Sequence, residues 1–202
     1  MFVLMLSLGI AANAQSITSG TVDFSVTVLQ SFDLRANGAA TGSGITASPS
    51  QNANDPLAVI LSVADASPNT NNATLTAAVP IRMRSNFAYK LQATRVTQDA
   101  VSPADFDSSD IGMSLAYNAR SGAQVASGND TPANGFGAPG NTVGTLSATP
   151  LTISNGDRIS NQGNNLSNDN FVGANLNFSV ARQYYTPGTF TQQVVVSISA
   201  QP

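Results

Sequence analysis

Apolar and polar residues alternate with a period of two along most of the chain, which is the signature of strands with one covered face. Val22, Phe24, Val26 and Val28 alternate with Thr21, Asp23, Ser25 and Thr27. Phe32 and Leu34 keep the same parity, so residues 21–34 read as one long strand or as two joined at Gln30-Ser31. Leu57, Val59, Leu61 and Val63 form the next inward face. Leu75, Ala77, Val79, Ile81 and Met83 form another, running through Pro80 and so implying an edge position or a bulge there. Phe87, Tyr89, Leu91 and Ala93 follow a Ser85-Asn86 turn. Ile111, Met113, Leu115 and Tyr117 precede a hairpin connection over residues 118–122. Shorter candidates lie at residues 143–146 and 151–153. Ala174, Leu176, Phe178 and Val180 make a strong strand, and Phe190, Val194, Val196 and Ile198 face inward on the last one.

Two stretches break the alternation. Residues 36–55, ANGAATGSGITASPSQNAND, and residues 127–142, SGNDTPANGFGAPGNT, read as long polar loops, either mobile or functional. The pattern predicts an all-β chain: a single antiparallel β-sandwich of eight to ten strands, Ig-like or jelly-roll, occupying residues 15–202 as one domain. No helical period longer than a turn competes with it.

Composition agrees with the pattern. The acidic residues are all Asp, there is no Glu, and Lys90 is the only lysine, so the chain lacks the residues from which exposed helices are built. Eight scattered basic residues in a chain of net charge -3 cannot supply a phosphate-neutralising patch, which argues against nucleic acid. A surface wetted by hydroxyls and amides, with few charges, is compatible with self-assembly.

The chain starts with FVLMLSLGI and then AANAQS, an apolar run and a small-x-small site of the kind that ends a secretory signal. Residues 1–14 are read as that signal, with Gln15 first in the mature chain, despite the absence of a basic leader; the competing reading is a buried first strand. The expected location is therefore secreted, extracellular or at the cell surface. No other apolar stretch is long enough to span a bilayer.

Little chemistry is visible. Without histidine or cysteine, the commonest general base, the commonest metal ligand, thiolate sites and disulfides are all excluded. No base stands ready to activate a serine, so the chain is expected not to be an enzyme. Asp99, Asp105, Asp107 and Asp110 gather within QDAVSPADFDSSD, and clustered carboxylates in a loop are what calcium needs. The spacing is not that of an EF-hand loop, and the competing reading is a solvated loop whose Asp side chains cap turns. As a glycosidase pair the same acids lack the apolar pocket that raises one carboxyl. Arg82 and Arg84 alternate opposite Ile81 and Met83, either as an anion clamp or as two outward residues of a half-buried strand. Tyr184-Tyr185 reads either as a stacking surface or as a strand end with one ring buried.

The closing stretch, Tyr185-Thr186-Pro187-Gly188-Thr189-Phe190 followed by alternation to Ala200, resembles the ending of secreted bacterial Ig-like surface subunits, the chaperone-usher pilins and spore-coat-U-like proteins. It departs from the pilins in having no cysteine pair and no aromatic residue beside the end. The resemblance implies assembly by strand exchange, in which an N-terminal arm completes a neighbour's sheet. On that basis residues 15–34 and the C-terminal strand are the expected contacts of a homo-oligomer or filament, with residues 21–28 a candidate partner for the last strand. The alternative function is a secreted carbohydrate- or calcium-binding β-sandwich module, using the Asp99 to Asp110 loop and the long loops at residues 36–55 and 127–142.

Overall fold

Alternation in the sequence becomes alternation in burial. Along Leu75–Ser85 every odd residue is buried, while the residues between them are exposed or half-buried. The computed structural model describes residues 25–26, 29–52, 55–63, 74–96, 105–120, 130–138, 140–159, 171–182 and 185–201. These residues are all-β, in two antiparallel sheets, with 3-10 turns at Ser108–Asp110 and Val143–Thr145 and no α-helix. The strands are β1 Phe32–Ala36, β2 Thr41–Ser43, β3 Ile45–Ser50, β4 Leu57–Val63, β5 Leu75–Ser85, β6 Tyr89–Val96, β7 Ile111–Arg120, β8 Thr131–Pro132, β9 Asn141–Thr142, β10 Leu151–Gly156, β11 Val172–Val180 and β12 Phe190–Ala200.

The first sheet has the order β1-β5-β11-β7-β9, with β2 beside β1 on the same flank of β5. The second has the order β3-β4-β12-β6-β10-β8. Their inward residues form one hydrophobic cluster that includes Leu57, Leu61, Ile81, Leu91, Leu115, Phe178 and Val196. For orientation, the lower end is the one that carries the β5 to β6 turn and Ala200. The upper end carries Ile111 and Phe190.

Residues 36–55, expected to be a loop, instead supply β2 and β3, an edge segment that begins in one sheet and ends in the other. The crossing sits at Gly42 and Gly44, whose φ values of 146° and 82° side chains rarely adopt. A Cβ on Gly42 would strike the Thr76 backbone, and one on Gly44 would strike the Leu75 side chain. Small residues here serve a close crossing, and their low hydrophobicity conceals a strand.

Pro80 is the second correction. β5 is an interior strand, so proline is not at an edge, and the irregularity lies in its neighbour. Pro80 O accepts from Asn37 N–H at 2.8 Å, on the flank where β1 stops at Ala36 and β2 has not begun. A strand residue directs its N–H and C=O to the same flank, so the donor that proline lacks falls at this break.

The 127–142 stretch is corrected in the same sense. From residue 130 onward it carries β8 and β9, and Phe136 in its middle is fully buried. Residues 143–145, read as strand, form a 3-10 turn that buries Val143. Phe87 is 41% exposed, so its inward face starts at Tyr89. Among the described residues of 21–34 the strand is β1; Ser25, Val26, Leu29 and Gln30 lie outside it, and residues 21–24, 27 and 28 are outside the described set. The terminal strand does not pair with this segment in the described residues. Its partners are β4, over residues 190–196, and β6, over residues 193–200.

Candidate functional site

The acidic loop folds onto backbone. Both Asp105 carboxylate oxygens accept from Thr186 N–H at 2.9 Å. Asp107 Oδ1 accepts from Ser109 N–H at 2.6 Å, while Asp110 Oδ2 accepts from Asp107 N–H at 2.9 Å, a capping box on the 3-10 turn. Phe106 is buried among them, edge-on to Tyr185 at 4.7 Å and to Phe190 at 4.9 Å. The loop is thus fastened to the Thr186-Pro187-Gly188 turn at the upper end. Asp99 lies outside the described residues, as does Tyr184. Among the described residues no three acidic side chains stand together as metal ligands.

Arg82 and Arg84 lie half-buried on the outer face of the first sheet, opposite Arg35 and Asp33 of β1. Arg35 Nε donates to Asp33 Oδ1 at 2.7 Å. One carboxylate thereby sits within a small cationic patch. The outward alternation is as read from the sequence.

A polar cluster that sequence reasoning missed joins the two sheets through the core. Tyr89 Oη donates to Asp130 Oδ1 at 3.0 Å and lies 3.3 Å from Tyr117 Oη. Tyr117 Oη lies 2.6 Å from Ser154 Oγ, which donates to Thr131 O at 2.7 Å. Burial first, then Tyr117 and Asp130, hold the Tyr89 phenol far above its ordinary range. It is a neutral donor at any ordinary pH and serves as a structural tie rather than a proton relay. The inward parity of Tyr89 was the available signal, since a buried tyrosine hydroxyl needs a partner.

A concavity lies at the lower end, where β12 outruns β4. Pairing with β4 stops at Val196 opposite Leu57, and among the described residues no strand continues along that flank of residues 197–200. The resulting groove holds about 430 Å³ between β1, the β3 to β4 loop and β12. Phe32, Leu34, Pro56 and Ile198 give it an apolar lining, and Asp33, Gln51 and Ser197 a polar one. Gln51 Nε2 fixes its wall by donating to Leu34 O at 2.5 Å and to Asp55 O at 2.7 Å. Close by, Asn86 at the β5 to β6 turn holds the approach to β1: Ser31 N–H donates to its Oδ1 and its Nδ2 donates to Leu29 O, each at 2.7 Å. Val26 and Leu29 are 84% and 77% exposed.

Compared with known proteins, the chain matches no family model, no curated protein and no solved structure. Among the described residues no helix is long and apolar enough to cross a membrane.

Proposed function

We propose that the protein is a non-catalytic extracellular structural subunit of a bacterial surface, part of a filament, pilus-like fibre or coat, which assembles by strand pairing. In this reading the two sheets form a sandwich of Ig-like or jelly-roll kind. The observation that carries it is the groove beside residues 197–200. A strand edge presents unpaired backbone donors and acceptors, and an extended peptide laid along it gains hydrogen bonds while alternate side chains enter the cleft. Phe32, Leu34 and Ile198 supply the apolar floor such side chains need. The segment ahead of β1 has matching chemistry, alternating Val22, Phe24, Val26 and Val28 with short polar residues. The resemblance of residues 185–200 to secreted bacterial surface subunits supports the same reading, as does the scarcity of surface charge.

The test is a chain lacking residues 15–30. Since β1 begins at Phe32, this chain is expected to melt within a few degrees of the full one and to form no assemblies when the two are compared by electron microscopy. A truncated chain that fails to fold, or one whose assembly is undiminished, contradicts the proposal.

A further inference from the structure

We infer that the outer face of the β3-β4-β12-β6-β10-β8 sheet is a second contact surface, packing face to face on the same surface of another copy. The register defines its centre. Gln193 of β12 lies between Ile60 of β4 and Val96 of β6, and in the next row Val195 lies between Ala58 and Thr94. Ile60 and Val96 are 37% and 42% exposed, two of the few large apolar residues left to solvent among those described. Across β3, β4, β6 and β12 the only charged side chain on this face is Lys90, at the lower margin opposite Ser199. Arg95 pairs with inward-facing Val194 and donates from Nη1 to Ser108 Oγ. The outer face of the other sheet differs, carrying Asp33, Arg35, Arg82 and Arg84. Soluble sheets keep charge on their solvent faces as protection against association, and this one has almost none.

The chemistry selects the occupant. An anionic bilayer needs a basic rim, and Lys90 alone does not make one. A sugar polymer is usually gripped by exposed aromatic rings, and these strands place none on this face. A second copy of the same uncharged face buries Ile60, Val96 and Val195 without stranding a charge. Lys90 lies level with Ser199, four residues beyond Val195. A two-fold axis running across the strands at Val195 therefore sets the two ammonium groups about 26 Å apart along the strands, well beyond a screening length of about 8 Å. Five strands about 4.8 Å apart and about seven residues long offer roughly 550 Å² per copy, so a pair buries about 1,100 Å², enough for a weak specific dimer. This contact does not depend on strand pairing at the groove; together the two give a subunit two directions of growth.

Sedimentation velocity of the full chain over a range of concentrations tests the inference. Wild-type protein is expected to dimerise reversibly. Ile60→Lys with Val96→Lys should weaken the dimer at least about a hundredfold, and Ile60→Thr with Val96→Thr, which keeps strand-forming side chains, at least about tenfold, steps of one to two decades in affinity. Thr76→Lys, exposed on the other sheet, should leave it unchanged. The dimer should also survive deletion of residues 15–30. The inference is overturned if the full chain stays monomeric at every concentration, or if both Ile60/Val96 pairs dimerise as tightly as wild type. A dimer that disappears with residues 15–30 but persists in both pairs overturns it too, while leaving the strand-pairing reading intact.

Discussion

The two lateral seams between the sheets are closed in different ways. On one side residues 130–147 run from β8, at the edge of the second sheet, to β9, at the edge of the first. They carry Phe136, Val143 and Leu146 into the core. Backbone bonds from Ala133 N–H to Ile153 O and from Leu115 N–H to Phe136 O, at 2.9 and 2.7 Å, fasten this cover to both sheets. On the other side β2 and β3 cross between the sheets and close the upper part, while among the described residues the lower part, between β1 and β12, is the groove. The two seams of one core thus differ in finish. A segment rich in Gly, Asn and Pro can seal a seam when one aromatic anchors it, whereas the strap of regular strands β2 and β3 leaves a gap where β12 outruns β4.

The sealed seam is the more sensitive of the two. Phe136→Ala removes a fully buried ring from the cover, and chemical denaturation should register a loss of roughly 3–5 kcal/mol. Gly156→Ala comes next. A Cβ there would fall within the Tyr89 ring, its cross-strand neighbour. Displacing that ring should lower stability by roughly 1–3 kcal/mol. Tyr89→Phe removes one neutral donor, leaves the packing in place and should cost about 1 kcal/mol. It also changes the response to alkali. The folded Tyr89 phenol keeps its proton where an unfolded one loses it, so this group leaves stability unchanged below about pH 10 and lowers it as pH rises above that. In Tyr89→Phe the fall should be shallower, as pH-dependent denaturation can show. The smallest effect belongs to the open side: Ser197→Lys, on the groove wall, should change stability by no more than about 0.5 kcal/mol. A large loss there would mean that the groove is core rather than surface.

How far the sequence foretold this architecture depends on whether burial was written as alternation. β4, β5, β11 and β12 were legible because each buries one face and every second residue reports it. β2 and β3 were not. TGS is exposed throughout, and Ala47 and Pro49 in ITASPS look like loop residues although they line the inward side of an edge strand. Phe136 was hidden for the opposite reason, a lone anchor among turn residues with no period around it. The capping role of Asp107 and Asp110 is one of the two readings that the loop sequence offers; the hydrogen bond from Thr186, 81 residues away, to Asp105 is not, because nothing local encodes it. The groove is likewise non-local. It exists because β12 runs four residues beyond its pairing with β4, and strand length alone does not disclose where a neighbour stops.

The central claim, that the groove beside β12 receives the segment ahead of β1 from another copy, can be tested directly because the chain has no cysteine of its own. Val26→Cys and Ser197→Cys are made in separate preparations, mixed and oxidised mildly, and the disulfide-linked products are resolved by mass. The mixed dimer, linking the thiol of one variant to that of the other, is expected to far exceed the one-half share that random pairing of equal amounts would give. A statistical mixture of the three products, or no mixed product, would contradict the claim.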